Sequence, residues 1–136
     1  MILTRRHLLT AAAAATLVRP AQAQALPRIL CFGDSLTAGF GLGPTEGLVP
    51  QLSAWLADAG RPADLIDAGL SGDTTYGGRV RIELSMRRHR PDAVMVELGG
   101  NDMLRRWQPA DAEANLDAIL QTAGSGGRAP PPGGIP

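Results

Sequence analysis

Past residue 25, short apolar runs alternate with stretches in which apolar residues recur every three or four positions. Ile29-Leu30-Cys31-Phe32 is the first run, closed by Gly33. It is too short for a helix, and an unbroken apolar run suits a strand covered on both faces. Val49, Leu52, Trp55, Leu56 and Ala59 follow helical spacing, with Gly60 and Pro62 as stop signals. Leu65-Ile66 opens a second strand that ends near Gly69. Tyr76, Val80 and Leu84 stand four apart, as on one helical face, and Pro91 closes that segment. Ala93 to Leu98 is the strongest strand, cut off by Gly99-Gly100, and Ala112, Leu116, Ile119 and Leu120 make one more helical stripe. The order β-α-β-α-β-α predicts parallel strands joined by right-handed crossovers. The expected fold class is α/β: a three-layer α/β/α sandwich with a flavodoxin-like parallel sheet. Ligands of such sheets sit outside the carboxyl ends of the strands, so polar residues just after each strand are the ones to inspect.

Composition changes the picture at both ends of the chain. Arg5-Arg6 precede an apolar stretch from Leu8 to Val18, and Ala21-Gln22-Ala23 and Ala23-Gln24-Ala25 offer small-x-small cleavage sites. The stretch is too short to span a bilayer, so residues 1–25 read as a signal peptide and not as a membrane anchor. Thr4-Arg5-Arg6-His7-Leu8-Leu9 resembles a twin-arginine address; an ordinary secretory signal is the alternative. Either way the destination is periplasmic or secreted. All thirteen basic residues are Arg, and three of them lie in this leader. Removing it leaves ten arginines against thirteen carboxylates, a net −3. That balance argues against nucleic acid or an anionic membrane surface as partner. Cys31 is the only cysteine, which excludes an internal disulfide, and its apolar setting suits a buried thiol. Residues 26–123 form the expected domain. Residues 124–136, with five Gly and four Pro, have no periodicity and read as a disordered tail.

The three strand ends carry the candidate chemistry. Strand one runs into Gly33-Asp34-Ser35-Leu36-Thr37, strand two into Leu70-Ser71-Gly72-Asp73-Thr74, and strand three into Gly99-Gly100-Asn101-Asp102. Taken singly, each is ordinary turn and N-cap chemistry. Taken together at one sheet edge, they suit acyl transfer. Ser35 is the candidate nucleophile, on a strand-to-helix turn where a helix dipole would favour developing negative charge. The backbone N–H groups of Ser35 and Gly72 and the side-chain amide of Asn101 are candidate oxyanion donors. No His/Cys cluster points to a metal, and this chemistry needs no cofactor. A nucleotide-binding fold is disfavoured: the first loop is not G-x-G-x-x-G, and the chain has no Lys for a P-loop.

The three blocks resemble those of the GDSL, or SGNH-hydrolase, family over roughly residues 28–121. Ile29 to Gly39 is similar to its first block, Asp67 to Thr75 to its second and Val96 to Asp102 to its third. Their wording resembles the branch of bacterial periplasmic arylesterases and thioesterase I/lysophospholipase enzymes. The resemblance implies hydrolysis of a small-molecule carboxylic ester or thioester through an acyl-Ser35 intermediate. It assigns the oxyanion hole to Ser35, Gly72 and Asn101, and leaves Asp34 and Asp102 to organise their loops. Asp67 stands where relatives often carry Asn. The larger departure is the family's Asp-x-x-His block, which supplies the general base and is absent from this sequence. His7 lies in the leader, and His89 ends a helix at the opposite edge of the sheet, facing solvent. The tail reads as a frameshift or premature stop, a genuine short form being the alternative, so impaired activity is expected. A carbohydrate acetylesterase and a non-catalytic binding protein remain as other readings.

Overall fold

The computed structural model describes residues 25–126. Most of the expected leader and most of the expected tail therefore lie outside the described residues. β1 (Arg28–Gly33) is the middle strand of a three-stranded sheet, flanked by β2 (Asp64–Gly69) and β3 (Ala93–Glu97) in the order β2-β1-β3. Both pairings are parallel, and Gly33 is level with Gly69 on one side and Glu97 on the other. Covered on both faces and paired on both edges, Leu30, Cys31 and Phe32 are fully buried, which is why the first run carries no polar alternation.

The crossover from β1 to β2 contains α1 (Leu48–Asp58), and the one from β2 to β3 contains α2 (Thr75–His89). These crossovers step in opposite directions across the sheet. Right-handed connections therefore place α1 and α2 on opposite faces. After β3 come the short α3 (Gly100–Leu104) and α4 (Pro109–Gly126), which packs against α2. The pattern of apolar positions does not announce α3. α4 runs three residues past the expected domain boundary at 123. No helix among the described residues is long and apolar enough to cross a membrane.

One core cluster joins Leu30 and Phe32 of β1 to Ile82 and Met86 of α2 and Ile119 of α4. It decides which face of α2 turns inward. Tyr76, Val80 and Leu84 do share a face, but that face is exposed, with Val80 67% accessible. The buried face carries Thr75, Gly78, Ile82 and Met86. Gly78 shows why: a Cβ there would press on Leu98, on Ile119 at 3.2 Å and on the Phe32 ring at 3.3 Å. The helix lies so close to sheet and α4 that only a missing side chain fits. Trp55 and Leu120 likewise continue helical stripes in the sequence and are exposed. α2 itself is well bounded. The Thr74 side chain accepts from Gly77 N–H at 3.2 Å, the last turn carries Arg87, Arg88 and His89, and Arg90 closes it in the left-handed region.

Candidate active site

The level strand ends bring three loops to one edge. In the first, Asp34 is buried and its Oδ1 accepts from Leu36 N–H at 3.0 Å. The Ala38 N–H donates to Asp34 O and the Phe40 N–H to Ser35 O, each at 3.0 Å. These are isolated turns, and helix α1 begins only at Leu48. The expectation that Ser35 opens a helix is therefore corrected: no helix dipole is aimed at it, because the chain must travel through turns before it returns to the sheet. The turn is clasped instead from β3. Glu97 Oε2 accepts from Thr37 Oγ1 at 2.9 Å and from Asp34 N–H at 3.4 Å, one on each side of Ser35. Ser35 is half-buried. Neither its N–H nor its hydroxyl has a hydrogen-bond partner among the described residues.

The second loop is tied to the first where the Leu70 N–H donates to Gly33 O at 2.9 Å. The Asp73 N–H closes on Leu70 O at 3.0 Å, and Gly72 has φ +82°, the pattern of a type II turn. A Cβ on Gly72 would meet nothing within 4 Å, so its positive φ, and not crowding, calls for glycine. The Gly72 N–H stands outside the turn's own hydrogen bond and has no acceptor among the described residues. Asp73 is buried; its carboxylate accepts from Thr74 N–H at 2.9 Å and pairs with Arg81 at 2.7 Å.

The third loop bridges the other two. The Asn101 amide nitrogen donates to Asp73 O at 2.7 Å and to Asp34 Oδ2 at 3.2 Å. Asn101 thus touches the neighbour of Ser35 and the neighbour of Gly72, and both of its amide hydrogens are engaged. Asp102, buried beside it, accepts from Thr75 N–H at 2.9 Å and from Thr75 Oγ1, to which Asn115 of α4 also donates at 3.3 Å. Asp34 and Asp102 therefore spend their carboxylates on loop geometry.

Ser35, Gly72 and Asn101 meet at one edge, and His89 does not join them. It ends α2 at the amino edge, where the Asp92 N–H joins Arg28 O at 2.8 Å. A six-residue strand separates the two edges by roughly 20 Å. His89 is half-buried and not the solvent-facing residue expected. His7 lies outside the described residues. Thr37, Glu97, Thr75, Asn115 and Arg81 were missed from the sequence. A signal existed for three of them: Glu97 interrupts an apolar strand, and Thr75 and Asn115 occupy core-facing helical positions. A cleft of about 580 Å³ opens beside this edge, lined by Tyr76, Arg106, Trp107, Gln108, Asp111 and Asn115.

Ligands of parallel α/β sheets sit outside the carboxyl ends of the strands, the edge at which these three loops meet. Fold and loops together define the class: a three-layer α/β/α protein with a polar site built from consecutive strand ends. The pattern of the GDSL-like Lipase/Acylhydrolase family matches residues 31–133. The chain is 39% identical to Esterase TesA of Pseudomonas aeruginosa over 107 residues, covering 79% of this chain and 53% of that protein. It is 37% identical to thioesterase 1/protease 1/lysophospholipase L1 of Escherichia coli strain K12, covering 74% of this chain and 47% of that one. The crystal structure of AlinE4, a SGNH-hydrolase family esterase, superposes with a TM-score of 0.69 at 45% identity, over 71% of this chain and 52% of that one. The chain belongs to the GDSL-like lipase/acylhydrolase family. It spans about half the length of the curated relatives it matches.

Proposed function

We propose that the folded part of this chain supplies the nucleophile and oxyanion pocket of a serine hydrolase acting on small-molecule carboxylic esters or thioesters. The Ser35 oxygen attacks the acyl carbon, and its proton passes to a base and then to the departing alcohol or thiol. The C–O or C–S bond breaks and acyl-Ser35 remains; water reverses the sequence and releases the acid. The N–H groups of Ser35 and Gly72 and the Asn101 amide hold the oxyanion of each tetrahedral intermediate. For Asn101 to do so, its longer bond to Asp34 yields. The observation that carries this reading is a pair of uncommitted N–H donors and an uncommitted hydroxyl at level strand ends, braced by one asparagine. The leader-like sequence of residues 1–25 favours a periplasmic or secreted setting.

The base is the weak point of this chain: among the described residues the one histidine, His89, sits at the opposite edge of the sheet from Ser35. Loss of the histidine from a serine triad costs up to about 10⁶ in kcat, so the isolated chain should turn over short aryl esters barely above the uncatalysed rate. Added imidazole should raise that rate in proportion to its concentration. A fluorophosphonate should leave one adduct, on Ser35, by intact-mass and peptide analysis. Ser35→Ala should abolish both the adduct and the imidazole-dependent rate. A folded chain that takes no adduct even in imidazole would move the protein to the non-catalytic binding reading.

A further inference from the structure

Arg81 belongs to no motif, sits in the second turn of α2 and is only 22% exposed. Each of its three guanidinium nitrogens donates one hydrogen bond at the carboxyl edge. Nε donates to Asp73 Oδ2 at 2.7 Å, Nη1 to Ala68 O at 2.8 Å and Nη2 to Gly33 O at 2.9 Å. The guanidinium carbon lies 3.8 Å over the centroid of the Phe32 ring. Each contact leads to a different part of the site. Gly33 is two residues before Ser35, and its carbonyl also receives the Leu70 N–H that starts the Gly72 turn. Ala68 is the last residue but one of β2. Asp73 follows Gly72 directly, and its carbonyl holds Asn101. Gly77 has no side chain to block this arrangement: a Cβ there would press on the Asp73 carboxylate, 3.1 Å from its Cγ.

We infer that Arg81 is a positioning residue for the oxyanion pocket: one guanidinium sets the spacing of the Ser35, Gly72 and Asn101 loops. The planar fork makes its three hydrogen bonds from three nitrogens held at fixed spacing, whereas an ammonium offers its donors from one freely rotating nitrogen. A buried ion pair adds little net stability when weighed against desolvation, and in some proteins its use lies in fixing geometry. The Asp73–Arg81 pair fits that description. Asp73 is nearly sealed, so its carboxylate has one orientation, and its main chain on either side carries the Gly72 N–H and the acceptor for Asn101.

This inference rests on the acyl-transfer reading, and the test separates the two. The full chain is compared with Arg81→Lys and Arg81→Gln in imidazole, following fluorophosphonate capture to saturation. Both variants should lower the maximal capture rate about 10- to 100-fold, the penalty of a small misplacement, while half-saturation moves less than about twofold, since ground-state binding is spared. The Gly72 and Asp73 amide signals and the Asn101 side-chain amide signals should shift in the ¹H–¹⁵N spectrum, with the signals of β3 unmoved. Variants that melt earlier yet keep the wild-type capture rate and the wild-type Gly72 and Asn101 signals would overturn the inference, leaving Arg81 merely structural. If the wild type itself takes no adduct, the acyl-transfer reading fails, and the amide signals alone then decide the role of Arg81. If neither variant folds, the wild type answers instead. The Arg81 Nε–H signal should be slow to exchange and should shift when Ser35 is phosphonylated; a freely exchanging or unmoved signal overturns the inference.

Discussion

Asn101 shows how far a residue type alone carries an assignment. The amide was recognisable as a donor from its loop and its block. That both hydrogens are already engaged, by Asp73 O and Asp34 Oδ2, depends on where two other loops come to rest. Cys31 is a simpler case: an apolar run foretold burial, and it is fully buried. Burial pushes its thiol above the ordinary thiol range, and the Asp67 carboxylate pushes further the same way. The sign of the consequence follows. A raised folded-state value means the folded protein keeps the proton that the unfolded chain loses. The stability this contributes is complete below the unfolded thiol pKa of about 8.5 and is lost as pH rises through the folded value. Denaturation midpoints should therefore fall above about pH 8.5 in the wild type and fall less in Cys31→Ala. A thiol reagent at neutral pH should leave Cys31 unmodified until the chain is unfolded.

At the scale of the element, α2 holds the sharpest lesson. Two stripes run along it at the same four-residue spacing. Tyr76, Val80 and Leu84 form the more apolar one and point to solvent; Gly78, Ile82 and Met86 form the buried one. Periodicity locates a helix but is blind to which of two equivalent faces turns inward, and a glycine lowers the apparent hydrophobicity of the true core face. Ile82→Ala should cost about 2–5 kcal/mol, and Val80→Gln should stay within about 0.5 kcal/mol, by denaturant unfolding. The reverse ranking would make the first stripe the core. The loop after β1 repeats the lesson: a Gly-Asp-Ser turn after a strand suggests an immediate helix, yet the chain makes isolated turns and delays α1 to Leu48.

For the molecule as a whole, β1 is the one strand paired on both sides among the described residues. Its amides at Leu30, Cys31 and Phe32 should exchange most slowly with solvent, ahead of those of β2 and β3, since both neighbours must separate before β1 opens. Native-state hydrogen exchange measures this directly, and equal protection across the three strands would contradict it. The same central position puts Ser35 between the loops that follow β2 and β3. The carboxyl ends of β1 and β2 are then held by Arg81 of α2.

The alternation of apolar runs and helical stripes was enough to determine a parallel α/β sheet, because strand and helix periods differ and short crossovers leave few topologies. The three polar blocks and their spacing were enough to determine the family and the edge at which Ser35, Gly72 and Asn101 gather. Those are local properties, written in consecutive residues. Only the tertiary structure decided which face of α2 is buried, that Glu97 clasps the Ser35 turn, that Asn101 bridges two loops and that Arg81 holds the ends of two strands. These hydrogen bonds join residues from 13 to 67 positions apart, and no pattern along the chain encodes which distant groups arrive at the same place.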